Sequence, residues 1–187
     1  MISRDEALDL LRRYLRDDKM VKHCLSVEAI MRALARRLGE DEEVWGLTGL
    51  LHDIDYEVTS RDLSRHGLVA LDILRGKLPD HALEAIAGHN ELNGFKPGSP
   101  EGVRLAHALR ASDHLSGLII ATALVMPGRK LSEVRVHSVR RKFKSKDFAR
   151  SINRDRIREV EELGVGLEEF FSIGIEALKG VSRELGL

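Results

Sequence analysis

The stretch LTGLLHDID, residues 47–55, decides how the chain reads. Five mostly apolar residues of helix-forming type end in an imidazole and a carboxylate, His52 and Asp53. An apolar run of this kind belongs inside, so its end carries polar groups to the interior. Burying a carboxylate without a partner costs several kcal/mol even after relaxation, and a partner has to be found elsewhere in the chain.

Working outward, the same pattern recurs. His23 lies in register with Val27, Ile30 and Leu34, and His66 with Val69, Ala70 and Ile73. His89 follows Ala82, Ala85 and Ile86, and Asp113 follows Ala106 and Leu109. Residues three and four apart share a helix face, so each polar group aims inward. No lysine or arginine shares these stripes. One bound cation satisfies the whole set, since neutral imidazole and carboxylate are good ligands for Zn, Fe, Mn, Co or Ni. The plain alternative for any single histidine is a core imidazole bonded to a backbone carbonyl. The collection of such residues on separate segments is what favours a metal.

Apolar residues recur at helical spacing nearly throughout, without period-2 alternation, which predicts an all-α, single-domain helical bundle over residues 1–187. Ser3 with Glu6 forms a capping-box pattern for the first helix. The second runs from about Lys19 to Leu38 and stops at Gly39, and the third covers about Asp41 to His52. After a loop over 55–61, a helix is expected from about Leu63 to Arg75, carrying His66. Another starts at Pro79-Asp80 and reaches His89. Ser99-Pro100-Glu101 supplies an N-cap, an N1 proline and an acidic first turn for a long helix to about Val125. A C-terminal helical extension occupies about 129–187, ending in an amphipathic helix through Leu167, Phe170, Phe171, Leu178 and Val181.

Hydrophobic residues make up 43% and charged residues 32% of the 187, a globular balance. The first residues mix charge with apolar side chains, so no secretory signal is expected. No apolar run is long enough to span a bilayer. A lone cysteine, Cys24, excludes an intramolecular disulfide. Together these point to a cytoplasmic protein with no membrane partner. Net charge is zero, yet residues 129–158 hold 12 basic side chains against 3 acidic ones. Such a segment attracts a phosphate tail, a nucleic acid or the acidic end of its own chain.

His23, then His52-Asp53, then Asp113 in ALRASDHLSG resemble the H…HD…D order of the HD-domain superfamily. The resemblance is strongest over about 20–120, taken as the metal-binding core. It implies an all-helical, metal-dependent phosphohydrolase acting on nucleotides or other phosphate esters, with His52 and Asp53 as the catalytic pair. His66 and His89 match the additional histidines of binuclear, HDIG-like bacterial branches. By that resemblance one metal takes His23, His52, Asp53 and Asp113, and a second takes His66 and His89, with Asp53 bridging. The cofactor implied is a divalent transition metal (Fe, Mn, Co, Ni or Zn, with Mg as an alternative), two ions being expected. The family motif commonly reads His-Asp-Ile-Gly-Lys, whereas residues 52–56 here read HDIDY. The Gly-Tyr-Pro signature of cyclic-dinucleotide enzymes is absent too, which argues against that substrate.

A divalent cation lowers the pKa of bound water from about 16 toward 7, so hydrolysis by metal-activated hydroxide is the expected chemistry. Arg65 and Lys96 are candidates to bind the phosphate, and Asp55 and Glu57 either handle protons or solvate their loop. Cys24 is assigned to core packing, and His81, His107, His114 and His137 to surface or helix-end positions. The expected partner is a small phosphorylated substrate, a nucleotide by resemblance, with self-association left open. Two alternatives stand beside this reading: a nucleotide-sensing HD module without turnover, and nucleic-acid binding through residues 129–158.

Overall fold

A computed structural model describes residues 1–60 and 62–187. Arg61, the expected last residue of the loop 55–61, lies outside them. The described residues form helices and turns with no strand: α1 (Arg4–Tyr14), α2 (Asp18–Leu38), α3 (Glu42–Leu51), α4 (Leu68–Leu74), α5 (Asp80–Gly88), α6 (Pro100–Leu124), α7 (Val136–Lys144), α8 (Arg154–Arg158), α9 (Leu167–Gly180) and α10 (Ser182–Leu185). This is the single helical domain that the periodicity predicts.

Local chemistry sets most helix ends. Ser3 and Glu6 bond reciprocally across the start of α1. Asp17 accepts from Lys19 N at 2.9 Å, and Asp41 from Glu43 N and Val44 N, so both carboxylates satisfy donors orphaned at a helix start. Ser99 accepts from Gly102 N at 3.0 Å behind Pro100. Gly39 ends α2 in the left-handed region, φ 71°, where a side chain would be strained.

The core is laid on α2 and α6. Val27, Ile30, Met31 and Leu34 of α2 are fully buried, as are Leu109, Leu115, Leu118 and Ile119 of α6. The extension closes over them: Phe170 and Phe171 of α9 are buried, and Phe171 meets Phe143 of α7 with ring centroids 5.4 Å apart. Gly46 and Gly49 let α3 approach α2 closely. A Cβ on Gly49 would lie 3.1 Å from the backbone of Glu28 and 3.0 Å from Met31 Cγ. Beside this contact Glu28, 2% exposed, takes Arg4 Nε at 2.7 Å and Arg32 Nε at 2.9 Å, so its buried charge is paired twice.

The fourth helix begins later than its pattern suggests. Residues 63–67 are turns, and α4 starts at Leu68. Gly67 breaks the helical path with φ 88°, and a Cβ there would meet the carbonyl oxygens of Ile86 and Ala87 at 3.2 and 3.1 Å. His66 therefore stands on the turn before α4 rather than on its apolar face.

Because Gly49 faces main chain that cannot retreat, Gly49→Val should cost about 1–3 kcal/mol through overpacking. For a chain of this size that lowers Tm by roughly 2–4 °C per kcal/mol. Thermal unfolding followed by circular dichroism checks this; an unchanged Tm contradicts the close-approach account.

Candidate metal centre

Each polar residue of interest is delivered by the end of an element or by a long helix crossing the core. His23 projects from the second turn of α2, His52 caps the C-terminus of α3 with Asp53 following it, His89 caps α5, and Asp113 sits midway along α6. These elements converge with the turn that bears His66. All six expected residues come together. Asp53 is the hub: its Oδ1 lies 3.4 Å from His52 Nε2, 3.2 Å from His66 Nε2 and 3.5 Å from His89 Nε2. Its Oδ2 lies 3.6 Å from His23 Nε2, which is 3.1 Å from Asp113 Oδ1.

Three of the imidazoles are held by their other nitrogen. His52 Nδ1 donates to the Gly49 carbonyl at 2.9 Å, and His89 Nδ1 to that of Ile86 at 2.5 Å. The plain reading of a core histidine thus describes one side of these rings only. His66 Nδ1 donates to Asp55 Oδ1 at 2.8 Å. With each Nδ1 committed as donor, each Nε2 carries a lone pair turned inward. His52 Nε2 is fully buried without any hydrogen-bond partner. The Nε2 atoms of His66 and His89 face each other at 3.1 Å, where two lone pairs repel unless a proton or cation lies between. An orphaned acceptor, opposed lone pairs and two carboxylates form a donor set that a divalent cation fits. The donor atoms group as His23, His52 and Asp113 on one side and Asp53, His66 and His89 on the other, each group within 4.8 Å. Cys24 lies close to His52 and Asp53 as well, but its thiol is fully buried and burial pushes its pKa well up.

Without a cation, protons take its place. Burial alone would lower the His23 pKa, but the Asp113 hydrogen bond and the charges of Asp113 and Asp53 push it up to about 9. Burial likewise opposes His66, which Asp53 and Asp55 raise to about 9. Burial would raise Asp53 and Asp113, yet the surrounding imidazoles hold both below the usual carboxylate range. His52 is shifted down, chiefly by burial, and stays neutral.

Asp55 escapes the sequence reading, which left it between proton handling and loop solvation. It is fully buried and does three things at once: it orients His66 and accepts from Gly67 N at 2.8 Å and Ala70 N at 2.9 Å, capping α4. Tyr56 stacks edge-on against the His66 ring, centroids 5.4 Å apart. The two positions that depart from His-Asp-Ile-Gly-Lys therefore both brace His66. Asn90 and Asn93 add hydrogen bonds to the His66 carbonyl at 3.0 and 2.8 Å. Glu57 instead accepts from Arg16 N and Asp17 N ahead of α2. Arg65 and Lys96 are exposed and take no part in the buried cluster itself. His137 is exposed as expected, but His107 and His114 are not plain surface residues: His107 Nδ1 bonds Glu159 at 2.7 Å and His114 Nδ1 accepts from Asn153 N at 3.2 Å, both tying α6 to the extension.

The cluster is closed on one side and open on the other. The side chains of His52, His66 and His89 are 0%, 5% and 6% exposed, whereas His23 and Asp113 are each 26% exposed. Access is from the His23 and Asp113 edge. Among the described residues, no helix is long and apolar enough to cross a membrane.

In comparisons with known proteins, the family model described as HD domain matches residues 20–122. No curated protein and no solved structure matches the chain. The matched span contains all six clustered residues, and clustered histidine and aspartate in such a domain point to a divalent metal.

Two outcomes follow from the geometry. Imidazoliums whose pKa is raised add stability to the chelated protein that is fully present below pH 6.5 and lost as pH climbs through about 9. A cation must displace those protons, so metal affinity should rise across that window and level off above it. Calorimetric titration of chelated protein with Mn²⁺ or Zn²⁺ in buffers of different ionisation enthalpy measures the protons released; none released at pH 7 contradicts the assignment. Separately, Asp55→Ala should lower metal affinity by about 10–100-fold, as for other groups that orient a ligating histidine.

Proposed function

The chain belongs to the HD domain family, and on that premise we propose that it is a metal-dependent phosphohydrolase cleaving a phosphate ester of a nucleotide or related small metabolite. The observation that carries the reading is the Asp53 carboxylate at the meeting point of four imidazoles, with the His52 Nε2 acceptor unmatched. Members of this family are mostly metal-dependent hydrolases, and this chain keeps a full donor set.

His23, His52, Asp53 and Asp113 would hold one divalent cation, and His66 and His89 a second, with Asp53 shared. The grouping of His23, His52 and Asp113 apart from Asp53, His66 and His89, with Asp53 Oδ1 and Oδ2 facing His52 and His23, supports that division. When bound, such cations supply Lewis acidity toward phosphoryl oxygen and lower the pKa of water to near neutrality.

The protein's own residues do the rest. Carbonyls of Gly49 and Ile86 and the carboxylate of Asp55 lock three rings, so that the donors need no rearrangement as charge develops. Asp53, shielded from water and drawn low in pKa, stays ionised at neutral pH. The quarter-exposed edge at His23 and Asp113 admits a phosphate while the opposite wall excludes solvent. Arg65 and Lys96 are exposed cations offered to the substrate's anionic groups. A nucleotide-sensing module without turnover has no need of this complete set of donors, and product formation separates the two readings.

The deciding experiment is metal analysis of protein purified without chelators, followed by phosphate release from p-nitrophenyl phosphate and a nucleotide panel. Wild type should carry metal and turn over at least one compound, and Asp53→Ala should lose both. Retention of metal and activity by the variant refutes the assignment.

A further inference from the structure

A cavity that the reading above does not use is tied to α6, the helix that carries Asp113. Between α7 and α8 lies an open cleft of about 520 Å³, within the range of about 300–1,000 Å³ usual for small-molecule sites. Lys144, Lys146, Arg150, Arg154 and Arg158 contribute to its wall against one carboxylate, Asp155.

The positive charge here is only partly used within the chain. Acidic residues of the C-terminal part do reach back: Glu168 pairs with Arg140 at 2.7 Å, Glu159 with Arg156, and Glu161 with Arg158 at 3.5 Å. No ion pair reaches Lys144 or Lys146 among the described residues. Among the described residues Arg150 pairs with Asp147 alone, and that pair is mostly solvated and adds little.

The wall is also rigidly built. The Arg154 guanidinium gathers carbonyls from both sides of the turn, at 2.8 Å from Ala149, 2.7 Å from Ile152, 3.1 Å from Ser145 and 3.3 Å from Lys142. Ala149 is held in the left-handed region, φ 47°, which costs a residue with a Cβ about 1–2 kcal/mol. The surroundings impose that conformation, as at sites where geometry matters more than stability. Like charges kept together on a fixed wall raise the local potential and draw in an anion.

The cavity is tied to the metal-bearing elements. Its residue Asn153 donates a backbone N–H to His114, the neighbour of Asp113, and Ile152 Cδ1 lies 3.3 Å from where a Cβ of Gly117 would be. Arg156, on the same short helix as Arg154, pairs with Glu91, two residues beyond His89.

We propose that this cavity is a subsite for a second phosphoryl group of the substrate. The compounds hydrolysed then carry at least two phosphoryl groups, as in a nucleoside polyphosphate or a bisphosphorylated metabolite. One group is cleaved at the metal centre while the other rests on Lys144 and Lys146. The inference rests on the hydrolase reading for its first half and on the cavity alone for its second.

The test uses the full chain and the double variant Lys144→Glu/Lys146→Glu, whose altered side chains are exposed. Calorimetry measures binding of inorganic pyrophosphate, and steady-state assays compare p-nitrophenyl phosphate with nucleoside mono-, di- and triphosphates. Pyrophosphate should bind the double variant at least tenfold more weakly than wild type. The ratio of kcat/KM for multiply phosphorylated compounds to that for the aryl phosphate should fall at least tenfold, through KM. Equal pyrophosphate binding by both proteins, or an unaltered ratio, overturns the subsite. If pyrophosphate binding discriminates but no compound is turned over, the anion site stands and the hydrolase reading fails. If the aryl phosphate is turned over and neither readout moves, the reverse holds. Weaker oligonucleotide binding by the variant, with pyrophosphate binding like that of wild type, assigns the basic wall to nucleic acid and sinks the proposal.

Discussion

A single buried carboxylate organises this molecule. Asp53 is 7% exposed and, among the described residues, pairs with no lysine or arginine; its neighbours are imidazoles brought in by four separate segments. An anion in such a place has to be neutralised. Protons on His23 and His66 can do it, which is why both are drawn up to about 9, but they leave His52 Nε2 unmatched. A multivalent cation answers every one of these groups together. The convergence of α2, α3, α5 and α6 thus has an electrostatic cause beside the hydrophobic one, and on the reading proposed above it is the cation that makes the arrangement cheap.

Around that centre the fold spends its hydrogen bonds on orientation. Gly49 shows the economy of the design: its lack of a side chain lets α3 lie against α2, and its carbonyl fixes the ring of His52 three residues on. Asp55 joins two tasks in the same way, capping α4 through Gly67 N and Ala70 N while holding His66. A substitution at either place therefore reaches the centre through the backbone as well as through a side chain.

Much of this is legible in the chain because much of it is local. Ser3 with Glu6, Gly39, and Ser99 before Pro100 each specify a helix end through contacts within four residues, and the structure places those ends where the spacing does. The inward aim of His23 and Asp113 follows from helical periodicity alone. His66 shows the limit: its spacing from Val69 and Ala70 suits a helix, yet Gly67 takes a left-handed turn against the Ile86 and Ala87 carbonyls, a contact across about twenty residues that no local pattern encodes. Asp55 is hidden for the same reason, since its partners lie 11, 12 and 15 residues away and it occupies a turn with no period to expose it. His107 and His114 looked peripheral because their partners, Glu159 and Asn153, belong to the distant extension.

The extension is fastened to the elements that carry the ligands. Glu159 binds Arg110 and His107, and Arg110 in turn bonds the Gly88 carbonyl at 2.9 Å, one residue before His89. Arg156 links the same glutamate to Glu91 in the following loop. A chain of charged groups thus runs from α8 to the segment that carries His89, partly desolvated where Glu159 meets Arg110 and Arg156 and solvated at Glu91. Burial pulls the Glu159 carboxyl upward, but Arg110, Arg156 and His107 together hold it below the usual range, so the link stays charged at neutral pH. The segment that brings most of the positive charge is fastened to the same helix and loop that bring Asp113 and His89. Charge and metal ligands were separate signals in the sequence, and the fold ties them to the same helix and loop.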